Sequence, residues 1–247
     1  MSVAGRTVVI TGASRGLGRV LAEAFAKEGA RLGLLSRDGD ALAALAAALP
    51  TETLAVPCDV SAFDDVEAAF ERVAGRFGGV DSVVANAGVT LDNRRAQNLP
   101  VDTWRQTLEI NLTGTFLTAR AAHRYLAQSR AGRMVLISSV MARVPRHGIS
   151  AYTASKAGVE GLARALAVDW ATDAITVNAV APGFFNTGMG EVVQRSERYL
   201  EQVLVRTPVS RLGDGQELAS AVLFLAGESS SYITGHTLAI DGGYGLD

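Results

Sequence analysis

The sequence predicts a doubly wound α/β fold, one parallel sheet of about seven strands with helices on both faces, in a single domain spanning residues 1–247. Three observations predict it. Short apolar runs of strand length alternate with longer segments of helical spacing along the whole chain. The apolar runs are continuous rather than alternating, as strands covered on both faces require. No proline- or serine-rich linker and no internal repeat divides the chain.

The elements follow in order. "TVVIT" (7–11) is the first strand, followed by a helix over 16–28. "RLGLLS" (31–36) precedes an alanine-rich helix at 40–49, with Asp38 placed to cap it. "TLAVPCD" (53–59) precedes 62–76, where Val66, Ala69, Phe70, Val73 and Phe77 keep helical spacing. "VDSVVA" (80–85) leads into one helical stretch from about 101 to 129. "RMVLIS" (133–138) precedes a helix from about 151 to 171. "ITVNAVA" (175–181), an irregular segment, a helix at 215–226 and the strand "TLAID" (237–241) complete the pattern.

The composition is that of an ordinary globular chain, 48% hydrophobic and 19% charged. A net charge of −2 gives no broad attraction to nucleic acid or anionic lipid. Cys58 is the lone cysteine, so no internal disulfide forms, which suits a reducing compartment. The first residues lack the pattern of a secretion signal, and the longest uncharged stretch, 174–190, is broken by Pro182. The expectation is a cytoplasmic protein that binds neither membrane nor nucleic acid.

Chemistry first shows in the turn after the opening strand. Gly12, Gly16 and Gly18 let the backbone approach a pyrophosphate, whose charge the following helix N-terminus attracts. The second strand should end at the adenosine ribose. An acid there would hold a 2′-hydroxyl, whereas an arginine accommodates a 2′-phosphate. Ser36 stands at the acid position and Arg37 follows it, while Arg15 lies in the glycine turn. These residues favour NADP(H) over NAD(H).

"AYTASKAG" (151–158) puts Tyr152 and Lys156 one helical turn apart. Side chains at i and i+4 share a helix face, and a fixed ammonium lowers a neighbouring phenol's pKa toward the range of a general acid or base. Alone, the pair reads more readily as two ordinary surface residues, since Tyr-x-x-x-Lys is common by accident.

With the glycine turn in the same chain, the sequence resembles the short-chain dehydrogenases/reductases over nearly its whole length, with their Rossmann-type fold. "TGASRGLG" (11–18) resembles the family's turn, with Gly12, Ser14, Arg15, Gly16, Leu17 and Gly18 toward the cofactor. "CDV" (58–60) resembles its adenine contact, through Asp59 and Val60. "ANAG" (85–88) resembles its strand end at Asn86, Ala87 and Gly88, with Ala85 replacing the usual first asparagine. "INLTGTF" (110–116) brings Asn111, "LISSV" (136–140) the serine, and "YTASK" the active-site helix. "APGFFNT" (181–187) resembles the loop that clasps the nicotinamide, with Pro182, Gly183, Phe185 and Thr187, and "ITGHTLAIDGG" (233–243) the final strand.

The resemblance implies reversible hydride transfer between a nicotinamide cofactor and a carbonyl or secondary alcohol. Tyr152 would protonate the substrate oxygen, and Ser139 would orient it. Ser139 is taken over Ser138 because it lies thirteen residues before Tyr152. Lys156 would lower the Tyr152 pKa and hold the nicotinamide ribose, and Asn111 would anchor a water linking Lys156 to solvent. No metal is implied, and His123, His147 and His236 are scattered.

The substrate is less legible. Two segments should flank the pocket, 89–98 and 140–150, carrying Arg94, Arg95, Arg143, Arg146 and His147. Their charge suits an anionic small molecule such as a sugar acid, unless they are solvated loop charges. The stretch after Thr187 should form a lid, and its length and "RTPVSRLG" exit resemble gluconate 5-dehydrogenases of the family. The alternatives are 3-oxoacyl-[acyl-carrier-protein] reductases, whose acidic carrier Asp169 and Asp173 would repel, a general ketone reductase, and a non-catalytic NADP-binding regulator. The helices near 105–129 and 151–170 carry surplus apolar and small residues, which predicts a homotetramer.

Overall fold

The computed structural model describes residues 3–188 and 191–246. Seven strands form one sheet: β1 (Thr7–Thr11), β2 (Arg31–Ser36), β3 (Thr53–Pro57), β4 (Ser82–Ala85), β5 (Arg133–Ile137), β6 (Thr176–Pro182) and β7 (Thr237–Ile240). Their order is β3-β2-β1-β4-β5-β6-β7, and every neighbouring pair is parallel. Strand order reverses between β1 and β4. A crevice opens there, outside the carboxyl ends of the strands, where a ligand has room.

The helices are α1 (Gly16–Lys27), α2 (Gly39–Ala48), α3 (Phe63–Phe77), α4 (Val101–Leu108), α5 (Gly114–Leu126), α6 (Ser150–Asp169), α7 (Glu191–Gln194), α8 (Glu197–Arg206) and α9 (Gly215–Ala226). Alternate residues of one strand enter opposite cores, because successive side chains of a strand point to opposite faces. Val8 and Ile10 of β1 join Leu21 and Phe25 of α1, Leu42 of α2 and Leu218 and Val222 of α9. Val9 joins Phe70 and Val73 of α3, Ala119 and Ala122 of α5 and Val159 and Ala163 of α6. Gly33 of β2 lets α3 lie this close, since a Cβ there would sit 2.6 Å from Val73 Cγ2.

Local signals hold where they are local. Asp38 caps α2 by accepting from Ala41 N at 3.0 Å, as expected. The single helix expected over 101–129 is interrupted. Between α4 and α5 the chain makes a wider π-helical turn, Glu109–Thr113. Such turns concentrate at functional sites, and this one carries Asn111. The expected lid segment contains α7 and α8, while residues 189 and 190 within it lie outside the described residues. No helix among the described residues is long and apolar enough to cross a membrane.

Candidate active site

A cavity of about 780 Å³ follows the carboxyl ends of the central strands. Every cofactor position expected from the sequence lines it: Gly12, Ser14, Arg15, Gly16, Leu17, Gly18, Ser36, Arg37, Asp59, Val60, Asn86, Ala87, Gly88, Tyr152, Lys156, Pro182, Gly183, Phe185 and Thr187. The glycine turn is tight against its neighbours. Gly12 has φ +65°, and a Cβ on it would meet Ala87 Cα at 2.8 Å. A Cβ on Gly18 would collide with Gly12 O and approach Asn86 Nδ2 to 2.6 Å. Asn86 pins the switch point by donating from Nδ2 to Thr11 O at 2.9 Å, while Thr11 Oγ1 accepts from Asn86 N and Ala87 N. Backbone is thus laid bare where a pyrophosphate would approach.

At the far end of β2, the Ser36 hydroxyl is engaged with the Asp38 main chain, and Arg37 and Arg15 are exposed at the cavity rim. Asp59 is held below the usual carboxylate range, chiefly by bonds from the Ser61 hydroxyl and N–H, with a smaller contribution from Arg37. Cys58 nearby is buried, and desolvation with Asp65 and Asp59 pushes its thiol up to about 12. A thiol so placed is inert.

The candidate catalytic corner gathers around α6. The Tyr152 and Ser139 side chains both line the cavity wall, with Ser139 near enough to favour the Tyr152 phenolate. Lys156 is buried, and its Nζ donates to Ile137 O at 2.7 Å, a carbonyl at the end of β5. Asn111 is fully buried; its Nδ2 donates to Val89 O and Ser155 Oγ, and its Oδ1 accepts from Val89 N at 2.8 Å. Gly88 leaves the space between: a Cβ there would lie 3.2 Å from Lys156 Nζ and 3.4 Å from Asn111 Oδ1. Ser138, beside Ser139, bonds Lys156 O and Glu160 Oε1 instead, which makes it structural.

Two expectations change here. On balance the Tyr152 pKa is raised rather than lowered. Burial raises that phenol above its ordinary value, and Ser139 offsets only part of the rise. Burial also drives Lys156 down from 10.5 to about 8. Desolvation penalises both charged forms, and the ammonium is directed at Ile137 O, with its Nζ 5.9 Å from the Tyr152 ring centroid. The second change concerns Asn111, whose two amide hydrogens are spent on Val89 O and Ser155 Oγ. A solvent link would therefore have to use an Asn111 oxygen as acceptor, on the side chain or the main chain.

Of the five basic residues expected around the substrate, Arg146 alone lines the cavity. Arg94 is paired with Asp92 at 2.6 Å and Arg143 with the buried Glu160 at 3.1 Å. Arg95 and His147 are exposed outside the cavity. The substrate end is walled instead by Met141, Ile149, Phe184, Val193 and Tyr199. The last two come from the lid helices and were not expected from the sequence. An aromatic at a fixed offset within α8 was the available signal, but its orientation depends on how that helix lies against Phe184.

The family model described as Enoyl-(Acyl carrier protein) reductase matches residues 12–245. The 3-oxoacyl-[acyl-carrier-protein] reductase FabG of Salmonella typhimurium is 37% identical over 243 residues, covering 98% of each chain. The chain belongs to the short-chain dehydrogenase/reductase family. Another member, the cis-4-hydroxycyclohexanecarboxylate dehydrogenase of Sinomonas cyclohexanicum, is 37% identical over 241 residues, covering 97% of this chain and 96% of that one. The structure of a putative gluconate dehydrogenase from Agrobacterium tumefaciens superposes with a TM-score of 0.92 at 32% identity, covering 98% and 97% of the two chains. The protein is therefore an oxidoreductase of this family, with the family's Rossmann-like sheet and nicotinamide chemistry.

Proposed function

We propose that this short-chain dehydrogenase/reductase uses NADP(H) to interconvert a ketone and a secondary alcohol on a compact, carboxylate-bearing substrate, sugar acids among them. One observation carries the reading: the Tyr152–Ser139 pair and buried Lys156 stand at one end of a cavity whose other end holds Arg15 and Arg37. The bare glycine turn and the space over Gly88 fit a dinucleotide. Gly12, Gly16 and Gly18 would admit its pyrophosphate, Arg15 and Arg37 a 2′-phosphate, and Asp59 and Val60 the adenine. Pro182, Gly183, Phe185 and Thr187 would flank its nicotinamide, and the bound cofactor would give or accept hydride at the substrate carbon.

The remaining work falls to the chain. As negative charge grows on the substrate oxygen, the Tyr152 hydroxyl donates its proton there. A phenol raised by burial is held protonated at neutral pH, the form that reduction needs. Ser139 donates to the same oxygen and fixes its position. Lys156, near its midpoint at pH 8, can pass a proton toward Tyr152 or hold the cofactor ribose. Asn111 locks Val89 and Ser155 around that corner.

Relatives named for gluconate and for a cyclohexanecarboxylate support the acidic substrate. The full-length similarity to FabG supports a second reading, reduction of 3-oxoacyl groups on a carrier protein. Asp173, one of two acids expected to repel such a carrier, has its Oδ2 2.8 Å from His123 Nε2. Exposed Val101, Trp104 and Phe116 on α4 and α5 and Val168 on α6 support a homotetramer. Part of the small-residue pattern serves the chain itself, since Gly158 makes room for Leu112. The lone buried thiol agrees with a reducing, cytoplasmic setting. The test is NADPH consumption with 5-ketogluconate, 4-oxocyclohexanecarboxylate, an acetoacetyl thioester and a neutral diketone. Preference for the two acids is expected. Reduction of the thioester alone would establish the second reading, and no reduction of any would overturn the proposal.

A further inference from the structure

We infer that Arg146 is the residue that reads the substrate carboxylate, as a guanidinium pre-set by Asn93 of one flanking loop and Tyr199 of the lid. The inference rests on the acidic-substrate reading and assigns its specificity to one side chain. Arg146 Nη2 donates to Asn93 Oδ1 at 3.2 Å, and its Cζ lies 5.5 Å from the Tyr199 ring centroid. The Arg146 charge also favours the Tyr199 phenolate, against the rise that burial causes. Both partners are neutral, so they hold the group in place without cancelling its charge. Arg94 and Arg143, by contrast, are neutralised by Asp92 and Glu160.

A guanidinium has five N–H donors in a rigid fork, and two partners leave enough to grip a carboxylate with two parallel bonds. The loop beneath it is constrained. Gly148 has φ +82°, and a Cβ there would run into Asn93 O, so the loops bearing Arg146 and Asn93 are in backbone contact. Among described residues, the acids lining the cavity are Asp38 and Asp59, both at the opposite end beside Arg37. Around Arg146 the walls are Met141, Ile149, Phe184 and Val193. Beside these apolar walls, Arg146 is exposed at the cavity with no acid against it, whereas Lys156 is buried and turned to Ile137 O; such a pocket suits a compact body bearing an anionic group.

The test compares 4-hydroxycyclohexanecarboxylate with its primary amide by calorimetric titration into protein saturated with NADP⁺, alongside kcat/KM for the matching 4-oxo compounds. The protein should bind the carboxylate at least ~10-fold tighter than the amide. Arg146→Gln should bring the two to parity. Arg95→Gln, which removes the same charge outside the cavity, should keep the preference. Equal binding of acid and amide, binding of neither, or a preference that survives Arg146→Gln would each overturn the inference. If the preference follows Arg146 but no ketone is reduced, the reaction reading fails and the role of Arg146 stands. If acid and amide are reduced at equal rates, the role of Arg146 fails and the reaction reading stands.

Discussion

Lys156→Met should make the cofactor-free protein more stable while removing its activity. The lysine is buried and its pKa falls from 10.5 to about 8, with desolvation as the cause. At about 1.36 kcal/mol per pH unit, that gap is roughly 3 kcal/mol of penalty against the buried ammonium. Methionine fills similar volume without charge. It gives up the bond to Ile137 O, worth roughly 1 kcal/mol, and that carbonyl lines the cavity where water can replace the donor. The net gain is about 2 kcal/mol, or ~4–8 °C in Tm for a chain of this size. The sign with pH follows from the direction of the shift. A folded value below the unfolded one penalises folding fully below about pH 8, and the penalty fades as pH rises toward 10.5. The advantage of the methionine variant should therefore be complete at pH 7 and mostly gone by about pH 10.5. Thermal unfolding of both proteins at the two pH values, without cofactor, measures this. A variant less stable at pH 7, or an advantage that persists unchanged at the higher pH, would refute the reasoning.

Tyr152→Phe should lower kcat by about three orders of magnitude or more with NADPH affinity kept, since the phenyl ring retains the packing and loses only the proton; retained turnover would refute the assignment. Arg37→Asp should move the kcat/KM ratio from NADPH toward NADH, because it sets a second carboxylate beside Asp59 where a phosphate partner stood. An unchanged ratio would transfer that role to Arg15. Gly18→Ala should cost about 3 kcal/mol or abolish soluble expression, as its Cβ would collide with Gly12 O, and a Tm within a few degrees of the parent would contradict the geometry. Light scattering should give four times the 25.8 kDa of one chain, and a monomer mass would refute the tetramer.

The residue order alone determined the strands and most of the helices, because each strand is an apolar run long enough to identify itself and the longer helices carry their own period, whereas α7 and α8 stood in the sequence as an irregular segment. The Asp38 cap was legible because its partner Ala41 lies three residues on, and the glycine turn because its glycines stand together directly after a strand, although the Asn86 and Ala87 that pack against it are remote in sequence. The interruption of the helix at Glu109–Thr113 was not, since Asn111 bonds Val89, 22 positions away in sequence, on a loop that only the folded sheet brings alongside. Tyr152 and Lys156 were visible as a pair, yet the Tyr152 pKa moves in the direction opposite to the one their spacing suggests. Spacing places two groups on one helix face, but desolvation depends on everything packed over that face. The five basic residues were likewise indistinguishable as letters. Arg94 meets Asp92 only two positions away, but tertiary packing alone decided that Arg143 meets Glu160 on a helix seventeen residues away and that Arg146 faces the cavity. A charge's role depends on which opposite charge reaches it first, and for Arg143 and Arg146 that is settled by long-range contacts between loops, helix and lid.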